Sequence, residues 1–401
     1  MKHWNLDNQY VILRVDFNVP IRNGVIQDDT RIVKSMATIQ ELLDRKAKLI
    51  ILSHLGRPLK ETLADGSLDL GKFSLKPVAE KLSALLNRPV AFANDCGGPD
   101  TLAKREALTQ GSALLLENTR FQKEEEKGNA EFAQRLAALG GYFINDAFGA
   151  AHREHATTAT IARYFDKDHK AFGHLMIREV ENGQKVLKNP QKPCTAILGG
   201  AKVSDKILLI GNLMNFCDTL LIGGGMAFTF LRAMGFKTGR SLCEIDKLDL
   251  ARDLMHQAVE RNVNILLPLD HVCADHIDNP SSILQTIDPN VPDDLMGLDI
   301  GPKTRELYEN TIRQSKTIIW NGPGGVFEKF SFAKGSESIA HAIAYATQNG
   351  AFSLIGGGDS AAAINQFGLS QQVSFVSTGG GAMLELLEGK ILPGIEAISG
   401  E

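Results

Sequence analysis

A chain of 401 residues exceeds what one ordinary hydrophobic core organises, and two domains are expected. With 43% hydrophobic and 22% charged residues the composition is that of a globular protein, and a net charge of only −4 gives no reason to expect a nucleic-acid or membrane-surface partner. The five cysteines (Cys96, Cys194, Cys217, Cys243, Cys273) are odd in number and lack CxxC spacing, MKHWNLDNQY has no signal-peptide core, and no apolar stretch is long enough for a bilayer, so the expected compartment is the cytoplasm.

Along the chain, apolar runs alternate with helical patterns, which is the signature of an α/β protein with parallel sheets covered on both faces. In the first half, strands are expected from Tyr10 (YVILRVDFNVP), Leu49 (LIILSHLGRP), Ala113 (ALLLENTRF) and Tyr142 (YFINDAF). Between them SLKPVAEKLSALLN reads as a helix with Ser74 as N-cap and Val78, Leu82 and Leu85 on one face, and NAEFAQRLAALGG as a helix closed by glycine. The EEEK run at Glu124 to Lys127 reads as a solvated face or helix start without chemistry. DKDHKAFG at 166–173 has no apolar period and marks a boundary. After it, 174–189 reads as an interdomain helix with Met176, Val180 and Leu187 on one stripe, followed past Pro190 by the strand TAILGG. The fold class expected is α/β: two doubly wound αβα (Rossmann-like) domains with parallel sheets, joined by that helix and a hinge.

The two halves differ in kind, since 11 of the 18 arginines precede Met176 and 25 of the 38 glycines follow Gly183. Carboxyl ends of parallel strands face the ligand crevice. The first-half strands end in Asp16 and Asn18, in His54 and Arg57, in Asn118 and Arg120, and in Asp146 followed by His152 and Arg153, while Arg31 stands at an expected helix start after Asp28, Asp29 and Thr30. Guanidinium forks suit phosphate and carboxylate, which points to a small anionic substrate. An arbitrary surface arginine is more often solvated or paired with a carboxylate; recurrence at strand ends is what favours a site. His152 and His155 in HREH lie three apart, but no further His or Cys cluster completes a zinc site.

In the second half, apolar runs three times end in three glycines and resume as helix: TLLIGGGMAFTFL from Thr219, FSLIGGGDSAAAI from Phe352 and VSFVSTGGGAMLELL from Val373. Such turns put free N–H groups of a helix start at the sheet edge and describe a phosphate or nucleotide seat. In GGAKVSDKILLIGNL, Lys202 and Lys206 are four apart and would share a helical face toward that rim. GxxxxGK[ST] is absent, and GGGDSA fits the dinucleotide pattern only loosely because no acidic residue follows about 20 residues later. Asp359, directly after the glycines, would hold Mg²⁺ carried on nucleotide phosphates. A nicotinamide-dependent dehydrogenase and a noncatalytic nucleotide sensor remain alternatives at this level.

RVDFNVP at 14–20, SHLGRP at 53–58, ENTRF at 117–121, NDAFGAAHR at 145–153, GGAKVSDK at 199–206, GGGMAFTFL at 223–231, WNGPGGVFE at 320–328, GGGDS at 356–360 and GGGA at 379–382 resemble, in order and spacing, the motifs of phosphoglycerate kinases. The resemblance covers essentially the whole chain. It implies an amino-terminal domain binding 3-phosphoglycerate or 1,3-bisphosphoglycerate through Asp16, Asn18, Arg31, His54, Arg57, Arg120 and Arg153, and a carboxyl-terminal domain binding ATP or ADP with Mg²⁺. There Lys202 and Lys206 would meet phosphates, and Gly223, Gly224, Gly225, Gly297, Leu298, Asn321 and Pro323 would line the adenosine site. Glu328 would hold the ribose; Gly357, Gly358, Asp359 and Ser360 would complete the phosphate and metal end. LPGIEAISGE resembles the family's tail that returns to the first domain, so the domains expected are 1–173 with 390–401, the helix 174–189, and 190–389. Ala150 and Ser360 stand where the family usually has threonine. The reaction implied, between an acyl phosphate and ADP, needs no general base, because a carboxylate is already ionised. Arg31, Lys202 and the amides of Gly379, Gly380 and Gly381 are the catalytic candidates, with closure of the domains about 174–189 and Leu392. The resemblance favours a monomer.

Overall fold

The computed structural model describes residues 3–400, which divide into two compact units, 3–180 with 391–400, and 181–390. The division falls inside the helix His174–Lys188.

The first unit is built on a six-stranded, wholly parallel sheet in the order Val90–Phe92, Ala113–Leu115, Lys48–Leu52, Tyr10–Val15, Tyr142–Asp146, Lys170–Phe172. Tyr10–Val15 is central, paired with Lys48–Leu52 on one side and Tyr142–Asp146 on the other. Its alternation explains why a continuous apolar run is needed: Val11, Leu13 and Val15 enter one core and Ile12 the opposite one, so both faces are buried. Lys170–Phe172 lies inside the stretch expected to be a structureless boundary. It is a three-residue edge strand carrying a lysine, too short for any period to register.

The helix Lys76–Leu86 buries Val78, Leu82 and Leu86, whereas Leu85, expected on that face, is 38% exposed. Leu86 lies four residues beyond Leu82, so it continues the stripe. Ser74 precedes the helix by two residues and accepts from Lys76 N–H at 3.2 Å, while its own hydroxyl donates to Glu117. The helix His174–Lys188 likewise buries Met176, Glu179, Gly183 and Val186, leaving Val180 and Leu187 half-buried. Its first turn is held by Asp146, which accepts from Met176 N–H at 3.0 Å, and by Thr38 Oγ1, which accepts from His174 N–H at 2.9 Å. Asp146 therefore caps a helix rather than facing a ligand. A Cβ on Gly173 would lie 2.3 Å from its carboxyl, which is why the cap is preceded by glycine. The tail helix Pro393–Ser399 packs on this unit, with Gly394 N–H donating to Ala151 O at 2.8 Å and Ile398 in the core beside Phe143.

The second unit also has a six-stranded parallel sheet, ordered Asn264–Leu266, Thr219–Ile222, Cys194–Leu198, Thr317–Asn321, Phe352–Ile355, Phe375–Val376. Each of the three glycine runs leaves such a strand and enters a helix: Met226–Ala233, Gly358–Gln366 and Gly381–Leu387. Because the strands are parallel, all three turns lie on one edge. An unforeseen feature is a three-stranded antiparallel sheet, Ile283–Gln285, His271–Ala274, Met296–Ile300, beside the main one. All five cysteines are free; Cys194 and Cys217 bring their sulfurs to 3.1 Å. Among the described residues no helix is long and apolar enough to cross a membrane.

Candidate functional site

In the first unit, adjacency of the strands Tyr10–Val15 and Lys48–Leu52 delivers Asp16 and His54 together. Phe17 N–H donates to Ser53 Oγ at 2.9 Å, locking the two strand ends in register. Asp16 Oδ2 pairs with Arg31 Nη1 at 2.8 Å, and its Oδ1 accepts from Asn18 N–H at 3.1 Å and lies 3.9 Å from His54 Nε2. Asn18 Oδ1 in turn accepts from Gly56 N–H at 2.8 Å, and Gly56 O accepts from Arg120 Nη1 at 2.8 Å. Gly56 has φ +60, and a Cβ there would sit 2.4 Å from the Phe73 ring. Arg57, next in sequence, is exposed.

Asn118 is a brace. Fully buried, it accepts from Leu55 and Arg120 N–H groups and donates to the Leu55 and Phe73 carbonyls, so it shapes the loop that carries Arg57 and the one that carries Arg120. Arg120 is nearly buried, with Nε 3.5 Å from Glu126. Its pKa is pushed down to about 10, first by burial and then by the charge of Arg14, with Arg153 acting in the same sense. Arg153 donates from Nε to His152 Nε2 at 3.1 Å. Asp16, Asn18, Arg31, His54, Arg120 and Arg153 thus form one linked cationic neighbourhood. Among the described residues no group of three or more His, Cys, Asp or Glu is placed to hold a metal.

Two members were not foreseen. Arg14 is fully buried, with Nε donating to Thr157 Oγ1 at 2.8 Å, Nη1 to Val15 O, and Nη2 3.0 Å from His54 Nδ1. Glu125, read from the sequence as part of a solvated EEEK face, is fully buried 4.0 Å from Arg14 and receives both the hydroxyl and the N–H of Thr157, at 2.5 and 3.1 Å. Only a long-range contact puts it there: EEEK carries no apolar period, and Arg14 lies on a central strand. Surrounded by guanidinium groups, His54 is held well below the usual histidine range, by burial first and then by Arg14 and Arg120. His155 is driven down to about 3 by burial and then Arg120.

In the second unit, the glycine-rich edge encloses two adjoining cavities that share Gly200. The larger, about 350 Å³, is walled by Gly224, Gly225 and Phe228, by Gly297 and Leu298 of the antiparallel sheet, and by Pro323, with Glu328 at its margin. The smaller, about 220 Å³, brings together Lys206, Asn321, Gly357, Gly358, Asp359, Ser360, Gly380 and Gly381. Lys206 Nζ donates to Asn321 O at 3.2 Å and to Asn321 Oδ1. Its pKa falls to about 8, because burial outweighs the pull of Asp359. Ser360 is buried and accepts from Gly322 N–H at 2.6 Å, fixing the loop that follows the strand Thr317–Asn321.

Three of the expected residues stand apart from the cavities. Lys202 is exposed and does not share a helical face with Lys206. Val203 is buried and Ser204 is tied to Glu244 by N–H and hydroxyl at 3.1 and 2.5 Å, so Lys202 precedes any helix, Ser204–Lys206 is a single 3-10 turn and the α-helix begins at Ile207. Gly223 packs against Gly324, where a Cβ would lie 3.1 Å from its Cα. Gly379 directs its N–H to Ser377 Oγ at 3.0 Å. Conversely, Gly200, Phe228, His271 and Asp299 line the larger cavity without having been foreseen. Asp299 accepts from Gly335 and Ile300 N–H groups at 2.7 and 2.9 Å, and burial lifts its pKa to about 7.

The family model described as phosphoglycerate kinase matches residues 1–390. The chain belongs to the phosphoglycerate kinase family. Relatives bearing that name include one from Synechococcus sp. (strain JA-3-3Ab), 49% identical over 399 residues that span 99% of this chain and 96% of that protein. Another, from Dictyoglomus turgidum (strain DSM 6724 / Z-1310), is 50% identical over 396 residues, 98% of this chain and 96% of that protein. The solved structure of phosphoglycerate kinase from Coxiella burnetii superposes with a TM-score of 0.88 at 43% identity, covering 100% of this chain and 98% of that one. Phosphoglycerate kinases are phosphotransferases, so the chain is an enzyme of that class. The dehydrogenase alternative is set aside.

Proposed function

We propose that the chain catalyses reversible, Mg²⁺-dependent transfer of a phosphoryl group between 1,3-bisphosphoglycerate and ADP, giving 3-phosphoglycerate and ATP, as a cytoplasmic step of glycolysis and gluconeogenesis. The observation that carries this reading is the smaller cavity, where Lys206, Asp359 and the glycine turns converge beside an apolar cavity of a size for a nucleoside. The larger cavity takes the adenosine moiety, with Glu328 at the ribose. The smaller one takes the phosphates, on Lys206 and the backbone around Gly357, Gly358, Gly380 and Gly381. Asp359 suits Mg²⁺ carried in on those phosphates, since this ion is commonly held by one or two protein carboxylates plus phosphate oxygens. When bound, the ion neutralises charge on the phosphate oxygens.

In the first unit Arg57, Arg120 and Arg153 fix the anionic substrate, and Asp16, Asn18 and His54 orient it. The attacking carboxylate is ionised at neutral pH, so catalysis is a matter of positioning and charge. Arg31 supplies charge to the equatorial oxygens of the group in flight, and Lys202 and the amides of Gly380 and Gly381 join it on closure, the Gly379 amide being held by Ser377 instead. Because these donors belong to two units, transfer requires that the units be brought together about the His174–Lys188 helix and the return near Leu392, which also excludes water from the acyl phosphate. The test is an assay of ATP-dependent phosphorylation of 3-phosphoglycerate. Product should form with Mg²⁺ and not without it; no product with both substrates and Mg²⁺ would refute the reading.

The Lys206 ammonium gives a pH signature. A bound phosphate raises its pKa from about 8, so above that pH binding must take up a proton. ADP affinity should be level below pH 8 and weaken above it, by up to about tenfold per pH unit. Calorimetric titration checks this, and Lys206→Met should abolish the slope.

A further inference from the structure

Beneath the cationic neighbourhood of the first unit runs a chain of four buried polar side chains in which the donor and acceptor of every hydrogen bond are fixed, with Arg14 donating to both of its neighbours. Glu125 Oε1 accepts from Thr157 Oγ1 at 2.5 Å and its Oε2 accepts from Thr157 N–H at 3.1 Å. The Thr157 hydroxyl hydrogen is thereby committed, and its oxygen faces Arg14 Nε as acceptor at 2.8 Å. Arg14 has no acceptor atom, so the 3.0 Å contact from its Nη2 makes His54 Nδ1 an acceptor. A neutral imidazole with a bare Nδ1 carries its hydrogen on Nε2, the atom 3.9 Å from Asp16. Arg14, Glu125 and Thr157 are 0% exposed and His54 is 4% exposed, so solvent does not offer substitutes.

We propose that Glu125 and Thr157 are positioning residues: acting through Arg14, they lock His54 as its neutral Nε2–H tautomer, so that it presents a hydrogen-bond donor to an oxygen of the bound anion. The chemistry explains why a neutral donor is wanted. Arg14, Arg120 and Arg31 each already oppose a charge on His54, and a further cation would be repelled. The other tautomer would aim a lone pair at Asp16 and at an anionic ligand. The groups around His54 (Arg14, Asp16, Arg31, Arg120, Glu125, His155) leave the ring one stable state and one orientation. That His54 meets substrate rests on the function proposed above; the lock itself does not.

Long-range ¹H–¹⁵N correlation of the full-length, ¹⁵N-histidine-labelled enzyme reads the tautomer directly. His54 should show a protonated Nε2 and a bare Nδ1 from pH 5.5 to 8. A proton on Nδ1, or titration near pH 6.5, overturns the proposal without any variant. Thr157→Val keeps the shape and removes the hydroxyl; it should mix the tautomers and raise KM for 3-phosphoglycerate about tenfold with a smaller change in kcat, and Thr157→Ser should restore both. An unchanged His54 spectrum in a folded Thr157→Val enzyme also overturns it. If the tautomer moves and KM does not, the lock stands and His54's place in the proposed substrate site falls.

Discussion

Arg31→Ala should lower kcat by roughly 10²- to 10³-fold, the usual consequence of removing one charged donor from a phosphoryl or oxyanion transition state, while leaving ADP affinity unchanged. Arg31 lies in the first turn of the helix Thr30–Asp44 with its side chain 34% exposed, so its removal opens no core cavity. What it loses is a fork aimed from an ion pair with Asp16 at 2.8 Å. That carboxylate preorganises the guanidinium at the end of the central strand, beside His54. Arg31→Lys keeps the charge without the planar fork and should recover only part of the loss. The decisive comparison is kinetic and calorimetric together. Parallel loss of turnover and ADP binding would mean that Arg31 serves the nucleotide and not the group in flight.

Glu125→Ala should cost about 3–5 kcal/mol of stability, because it leaves the buried Arg14 guanidinium without its nearest counter-charge. Both side chains have no solvent exposure, and Thr157 would lose the acceptor of its hydroxyl as well. Burial itself disfavours charge on each, lowering the Arg14 pKa and raising that of Glu125, so neither is comfortable alone. Denaturant unfolding of the wild type and variant measures the difference. A loss under about 1 kcal/mol, as surface carboxylates give, would show that the network contributes little to the fold. Glu125→Gln keeps an acceptor for Thr157 and should fall between the two.

Much of the scaffold was legible because a parallel sheet buried on both faces demands uninterrupted apolar runs. Residues 11–13, 49–52 and 142–144 are such runs, and Asp16 and His54, just past the ends of the first two strands, come together at one sheet edge. The glycine turns were legible for the same reason, since each follows a strand. Short elements were not: Val90–Phe92 and Lys170–Phe172 have three residues each, and the antiparallel sheet that walls the larger cavity has strands of three to five. A local period also misled at Lys202 and Lys206. Their spacing suits a helix, but burial of Val203 and the grip of Glu244 on Ser204 break it there. Glu125 and His271 owe their surroundings to distant segments, which no local pattern encodes. Gly223 illustrates the limit of motif transfer, because in a run of three glycines the first meets Gly324 while the next two line the cavity.

Under the proposed function, two anion sites on separate units serve one phosphoryl group. Small-angle X-ray scattering of the full-length enzyme tests it most directly, with 3-phosphoglycerate alone, with Mg²⁺ and a nonhydrolysable ATP analogue alone, and with both. The radius of gyration should fall when both are bound and by less with either one. An unchanged radius with both sites saturated would contradict the account.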